Sequence, residues 1–497
     1  MLAAMPPTSP TPVNRDEAPV RERGDACPGA LRLHAADDGR LARLRLPAGL
    51  LTYRQAEVLA TAAERLGDGR LDITSRGNVQ LRGLGESCGG ELAELLYEAG
   101  LLPSERHERV RNVVASPLSG LDGIPRADVR LWARELDALL CASEAATALS
   151  GRFLFALDDG RGDVAALGAD VTLLAQPDGS AVLHTGANGS GLRVSAADAP
   201  RAALLAAETF LTGAAASGSG AWRVRELPAG HGLDAAVTTG LTTAGITTEP
   251  VAEYGAGYGA EYRAGYTTEP GAAYGAEPEA EYGAEYGADV ARPEAGPPVP
   301  GLVRSPDGTV ALSVYAPLGR LSVAQWRLLL SAGERGTNDR TLRVTPWRGV
   351  IVPGLDPATA HDLLDRLRTA GLITDPHSPW HGVGACTGRP GCAKALTDVR
   401  ADAAGAVTAT RPGGPPAARP GDLPATNPGD LPVYWSGCAR RCGHPQGNWV
   451  DVVATGEGGY DISVRGHLLR ATTGPELAEA VATARKPTTA RTTPVTR

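Results

Sequence analysis

The sequence predicts an α+β fold built twice along one chain. Three observations carry that prediction. A strand–helix–strand–strand–helix unit stands on each side of a low-complexity segment, each unit leads into a second α/β block, and only the later block carries paired cysteines. Units of this order pack as helices laid on one face of a sheet, so the repeat implies two similar sandwiches related by a pseudo-two-fold.

Length and charge bound the possibilities. A chain of 497 residues holds about two to four domains, and a hydrophobic content of 42% supplies ordinary cores. No apolar run approaches the length of a membrane span. Residues 1–24 are rich in proline and charge without an apolar stretch, which predicts a disordered tail rather than a secretory signal. A cytoplasmic protein with reduced thiols and no membrane partner is expected. The formal charge is −8, and between Glu249 and Glu294 ten acidic residues face only Arg263 and Arg292, so the remainder is near neutral. No basic field points to a nucleic acid.

The first unit, expected over 25–100, begins with Thr52 as the N-cap of a helix reaching Leu66. Leu71 and Ile73 then alternate as a half-buried strand, and Val79 to Leu84 returns beside it before an amphipathic helix from Glu91 to Ala99. The second unit, expected over 301–375, repeats this with Ser322 as cap, Leu342 and Val344 alternating, and a helix from Pro357 ending at Gly371. Thr74 matches Thr345, Val79 matches Val350, and Gly83-Leu84 matches Gly354-Leu355. The first α/β block is expected over 105–215, with a strand at Val171 to Leu174 and a hairpin into Ala181 to Leu183. The second is expected over 376–485. Between the halves, residues 238–300 hold seven of the twelve tyrosines in Tyr-Gly-Ala-Glu-like units and almost no aliphatic side chain. Such a stretch cannot offset its ordering entropy, and a disordered acidic linker is predicted.

Four of the seven cysteines form two pairs, Cys386 and Cys392 with five residues between them, Cys438 and Cys442 with three. Four thiolates gathered by a fold suit a [4Fe–4S] cluster. Structural zinc is the competitor, although its pairs are usually separated by about two to four residues, and a disulfide or inert thiols complete the alternatives. Glycines and prolines around both pairs allow tight turns that aim N–H groups at sulfur. Cys27, Cys88 and Cys141 lie outside any ligand spacing and read as buried inert thiols. His444 could serve the metal or simply cap a turn. The glycines from Gly186 to Gly191 lack the context of a nucleotide loop.

Cys-x5-Cys followed by Cys-x3-Cys, behind a duplicated Thr-x-Arg unit, resembles the nitrite/sulfite reductase superfamily. That resemblance implies two ferredoxin-like half-domains and two α/β cluster-type domains, the first without ligands. It implies a [4Fe–4S] cluster on Cys386, Cys392, Cys438 and Cys442, with siroheme or a mononuclear iron beside it. Within the superfamily, Cys27-Pro28-Gly29-Ala30-Leu31 and Phe155-Ala156-Leu157-Asp158-Asp159-Gly160 are similar to the precorrin-3B synthase branch. The implied reaction is oxygen-dependent hydroxylation and lactone formation on precorrin-3A in aerobic cobalamin biosynthesis. O2 and an external NAD(P)H-linked electron donor are the implied partners. The alternatives are a siroheme-dependent sulfite or nitrite reductase and a non-catalytic cluster- or tetrapyrrole-binding protein.

Arg76, Arg111 and Arg152 fall on positions where the family faces the tetrapyrrole and substrate, with Gln80 and Asn112 as amide partners beside them. The pseudo-symmetry implies one anionic pocket between the halves, lined by all three arginines, since guanidinium forks match the carboxylates that ring such a macrocycle. Where the reductases place two lysines one residue apart, this chain has Arg152 and Leu154. Arginine is a poor proton donor, and the apolar Leu154 suggests a large substrate in place of a small anion.

Overall fold

The computed structural model describes residues 25, 27–123, 127–186, 191–251, 296–331, 341–408, 430–445, 448–456, 458–473 and 476–486. The expected tail at 1–24 and positions 252–295 of the expected linker lie outside the described residues.

In the first unit the strands His34–Ala36, Gly39–Leu44, Val79–Leu84 and Arg70–Ile73 lie side by side in that order, all antiparallel. Successive side chains on a strand point to opposite faces. Ala42, Leu44, Val79 and Leu81 therefore enter the core, while Arg43, Gln80 and Arg82 border the large cavity described below. The second unit repeats the order with Gly301–Arg304, Val310–Tyr315, Gly349–Leu355 and Thr341–Val344.

Neither sheet is completed by its own half. Arg70–Ile73 pairs on its open edge with Arg320–Ser322 of the second unit, Leu321 opposite Leu71, and Thr341–Val344 pairs with Leu50–Thr52 of the first, Leu51 opposite Leu342. A tight turn sends each strand across. At Pro47–Gly49 and at Pro317–Gly319 the backbone is left-handed twice in succession (Ala48 φ 55, Gly49 φ 67; Leu318 φ 54, Gly319 φ 75). A Cβ on Gly49 would lie 1.8 Å from the Val344 carbonyl oxygen, so only glycine allows that approach. Each crossing strand ends in a capping box. Thr52 accepts from the Gln55 N–H and Ser322 from the Gln325 N–H, starting the helices Tyr53–Leu66 and Val323–Leu330. These helices pack on each other, and Trp326, fully buried, donates its indole N–H to the Ala56 carbonyl at 2.8 Å. One core thus runs through both units, containing Leu51, Leu59 and Leu71 together with Leu312, Trp326 and Leu342. The two predicted half-domains are a single intertwined body.

The α/β blocks also match. In the first, parallel strands Val113–Ala115, Phe155–Asp158 and Val171–Ala175 continue into antiparallel Ala181–Thr185, Gly191–Val194 and Glu249–Val251. In the second, parallel Val383–Ala385, Val433–Ser436 and Val450–Gly456 continue into antiparallel Gly459–Val464 and His467–Thr473. Helices Val129–Ala142 and Ala199–Ser217 cover the first sheet, and Val399–Thr408 and Leu477–Arg485 the second.

The expected linker begins too early. Residues 238–243 belong to the helix Asp234–Thr243, whose Val237 and Leu241 are buried in the core of the first block, and Glu249–Val251 forms that sheet's edge strand. Four of the ten helix residues are threonines, so its apolar anchors are few and the composition concealed it. Among the described residues no helix is long and apolar enough to cross a membrane.

Candidate functional site

A cavity of about 990 Å³ lies where the first unit, the first α/β block and the cysteine-bearing block meet. Cys386, Cys392, Cys438 and Cys442 all line it. Cys386 directly follows the strand Val383–Ala385, and Cys438 lies two residues beyond Val433–Ser436. Two adjacent parallel strands thus deliver the two pairs at their carboxyl ends. The Gly437 N–H donates to Cys386 Sγ at 3.2 Å. A Cβ on Gly437 would crowd Ala395 at 2.8 Å, so the turn requires its glycine. Burial pushes the Cys442 thiol up, and the neighbouring Cys438, Cys386 and Cys392 push the same way. Four thiols lining one wall, three of them close enough to oppose the ionisation of Cys442, with a backbone donor already on one sulfur, fit a cationic metal group that would hold them as thiolates. Among the described residues no three Cys, His, Asp or Glu side chains converge closely enough for a single ion. The thiols flank a space instead of meeting at a point.

The facing wall is cationic. Its arginines are of two kinds. Arg82 forks onto Asp38 with two bonds of 2.8 Å and donates to the Gly391 carbonyl at 2.7 Å, tying the first sheet to the cysteine loop. Arg223 pairs with Asp170 at 2.5 Å, and Arg400 pairs with Asp72 at 2.8 Å. Among the described residues, Arg43, Arg45 and Arg76 form no such ion pair. Arg43 donates to the Gln80 side-chain oxygen at 2.9 Å, Arg45 to backbone carbonyls of Arg109, Pro28 and Gly151, and Arg76 to the Gly151 carbonyl at 3.3 Å. Arg45 is 4% exposed, and its Nη1 has no partner. Burial first, then Arg43 and Arg76, push Arg45 down to about 9; burial and then Arg223 push Arg76 down to about 10. A guanidinium very rarely surrenders its proton, so an anion entering the cavity would relieve the field.

The sequence-derived site residues divide accordingly. Arg76, Arg152, Gln80 and Asn112 line the cavity with the four cysteines. Asn112 donates to the Gly151 carbonyl at 2.7 Å and accepts from Asn78. Arg111 does not belong with them. It lies outside the cavity lining and forks onto Asp137 of the helix Val129–Ala142 with two bonds of 2.6 Å, so it cannot face a ligand there. Leu154 is also absent from the lining and is buried in a small apolar cluster with Val114, Ala156 and Trp347. Its apolar character therefore carries nothing about substrate. His444 stacks on Trp449 at 5.0 Å, away from the cavity.

The sequence reading missed Arg43, Arg45, Arg348 and Cys27 among the lining residues. Arg43 and Arg45, two apart beside the buried Ala42 and Leu44, carried a period-two signal for a polar face. Cys27 lines the cavity and is half-buried, outside the hydrophobic core. A turn fixed by Asp25, which accepts from the Cys27 N–H at 2.9 Å and the Gly151 N–H at 2.6 Å, holds it in the cavity wall, where burial and Asp25 push its thiol up.

Comparison with known proteins agrees with this architecture. Residues 34–99 and 303–370 each match the nitrite/sulfite reductase ferredoxin-like half domain. A precorrin-3B synthase from Sinorhizobium is 35% identical over 154 residues, covering 31% of this chain and 33% of that protein. A ferredoxin–nitrite reductase from Synechococcus elongatus is 38% identical over 127 residues, 24% of this chain and 25% of the relative. These alignments thus span a quarter to a third of the relatives' own lengths. The NirA protein of Mycobacterium tuberculosis superposes with a TM-score of 0.57 at 18% identity, covering 89% of this chain and 79% of NirA. The chain carries two nitrite/sulfite reductase ferredoxin-like half domains, and its fold is of the nitrite/sulfite reductase type.

Proposed function

We propose that the protein is a precorrin-3B synthase, a monooxygenase acting on precorrin-3A. One oxygen atom of O2 enters the macrocycle as a hydroxyl ahead of lactone closure. The other leaves as water, with electrons from an external NAD(P)H-linked donor. The observation that carries the reading is a large cavity with four thiols on one wall and, on the other, guanidinium groups that form no ion pair among the described residues. A tetrapyrrole ringed with carboxylates fits that volume and charge, and the likeness to the Sinorhizobium enzyme supports the choice of reaction.

Cys386, Cys392, Cys438 and Cys442 would hold a [4Fe–4S] cluster, with siroheme or a mononuclear iron as the further group the reading admits. Such iron groups supply electrons singly and activate oxygen species when bound. The chain's own residues then have separable tasks. Arg43, Arg45 and Arg76 receive substrate carboxylates, Gln80 orients Arg43, and Asn112 fixes the Gly151 carbonyl on which Arg76 rests. Arg152 supplies a further cation at the cavity wall. A siroheme-dependent nitrite or sulfite reductase is the second reading, favoured by the ferredoxin–nitrite reductase relatives. Proton supply counts against it, because reducing such an anion fully consumes many protons and the cavity's sole lysine among the described residues is Lys394, on the cysteine loop.

Anaerobically purified protein should contain iron and sulfide and absorb broadly at roughly 400 nm, and Cys442→Ser should lose that band. Incubated with precorrin-3A, O2 and a reductant, it should yield a product heavier by one oxygen atom. Zinc without iron in elemental analysis overturns the cluster assignment. Turnover of nitrite or sulfite, with precorrin-3A unchanged, transfers the function to the second reading.

A further inference from the structure

Arg152, like Arg348 over the Tyr434 ring at 5.3 Å, is a cation of the cavity held against an aromatic face. It is exposed, its backbone N–H donates to Ser150 Oγ at 3.1 Å, and its guanidinium meets the Cys27 thiol. The guanidinium carbon also lies 4.7 Å from the centroid of the Trp222 ring. No carboxylate pairs with Arg152 among the described residues. Trp222 is outside the cavity lining, whereas the next residues of its loop, Arg223, Arg225 and Glu226, are part of it. Seen from the cavity, the indole therefore stands behind Arg152.

The loop that presents the indole is well fastened. The Trp222 N–H donates to the Glu226 carboxylate at 2.8 Å. Arg223 donates to the Gly168 carbonyl at 2.7 Å and pairs with Asp170, whose other oxygen accepts from the Val224 N–H at 2.8 Å. A fixed aromatic plate beneath a long, exposed side chain removes rotamers from that side chain. A ring against the flat face of a guanidinium leaves its edge exposed, and beyond the N–H that meets Cys27 the Arg152 edge keeps donors able to fork a carboxylate. An ammonium has no such face and no such fork.

We propose that Trp222 is a positioning residue. It holds Arg152 at the cavity wall with the guanidinium edge presented to one peripheral carboxylate of a tetrapyrrole. The inference rests on the tetrapyrrole reading above, and it adds that carboxylate capture at this rim depends on an arginine–indole pair, which a lysine could not replace.

A double-mutant cycle tests it, with uroporphyrin as the probe and binding followed by absorbance titration of the full-length, metal-loaded protein. Trp222→Leu should weaken binding roughly three- to ten-fold, the span expected of a partly desolvated cation–π contact. Arg152→Met should weaken it at least as much. A positioning role exercised through the arginine means that Trp222→Leu costs little further in the Arg152→Met background. Trp222→Phe should recover much of the loss, and Arg152→Lys should not. If Trp222→Leu fails to fold, the same cycle run with Trp222→Phe gives a smaller loss that again vanishes without Arg152. Equal losses in the two backgrounds, or no loss at all, overturn the proposal and leave the tetrapyrrole reading standing. Failure of the wild-type protein to bind uroporphyrin overturns that reading, and this inference with it.

Discussion

Arg43, Arg45 and Arg76 concentrate positive charge in the cavity wall and form no ion pair among the described residues, while Arg82, Arg223 and Arg400 are each neutralised by an aspartate. Like charges gathered where water is scarce are unfavourable until counter-charge arrives. The unpaired three thus bear on ligand affinity and the paired three on the fold. Arg76→Ala should lower uroporphyrin affinity by about ten-fold or more. The same substitution should leave iron and sulfide content unchanged, and it should not lower the melting temperature, because a burden on the empty protein has been removed. Loss of the cluster together with binding would mean that Arg76 holds structure. Arg111 is the contrasting case: joined bidentately to Asp137, it holds the fold.

At the scale of an element, the loop after the strand Phe155–Asp158 occupies the place that the cysteine loops hold in the second block. Asp158 accepts the N–H groups of Gly160, Gly162, Val164 and Ala165, so a carboxylate sits where the sister domain turns its backbone toward sulfur. Asp163, beside it, accepts from Ser116 at 2.6 Å. Burial and then the Asp158 charge push its carboxyl well above the usual carboxylate range. The folded protein holds a proton there that the unfolded chain has released, so stability falls as pH rises from the ordinary carboxylate range through the raised value. Asp163→Asn keeps an oxygen for Ser116 and cannot ionise. Measured by thermal melts between about pH 5 and 8, the difference in melting temperature should move steadily in the variant's favour with rising pH. A constant difference would show that Asp163 is already ionised throughout.

Across the whole molecule, the exchange of Leu50–Thr52 and Arg320–Ser322 makes each half depend on the other for an edge strand and for half of a common core. Residues 1–251 and 296–497 expressed separately should each leave the ferredoxin-like sheets unprotected in hydrogen exchange. Co-expressed, they should assemble with the exchange protection of the intact chain around Leu71 and Leu342, because the break falls outside every described element. Full protection in either isolated half would show that a unit closes on itself without its partner's strand.

The sequence by itself determined what is local or repeated. Alternation at Leu71/Ile73 and Leu342/Val344, the caps Thr52 and Ser322, and the matched glycines made the duplication legible, because period and capping depend on near neighbours in the chain. The two cysteine pairs were legible for the same reason, each being set on one turn. Only the tertiary structure decided the strand exchange, since Leu51 meets Leu342 and Leu321 meets Leu71 across some 250 to 290 residues with no mark on either segment. It alone also decided which arginines face the cavity. Arg76 and Arg111 look alike in the chain, and what separates them is Asp137, brought to Arg111 by the packing of a helix, with no equivalent reaching Arg76. A guanidinium's role follows from the charge opposite it, and that charge is set by packing between distant segments.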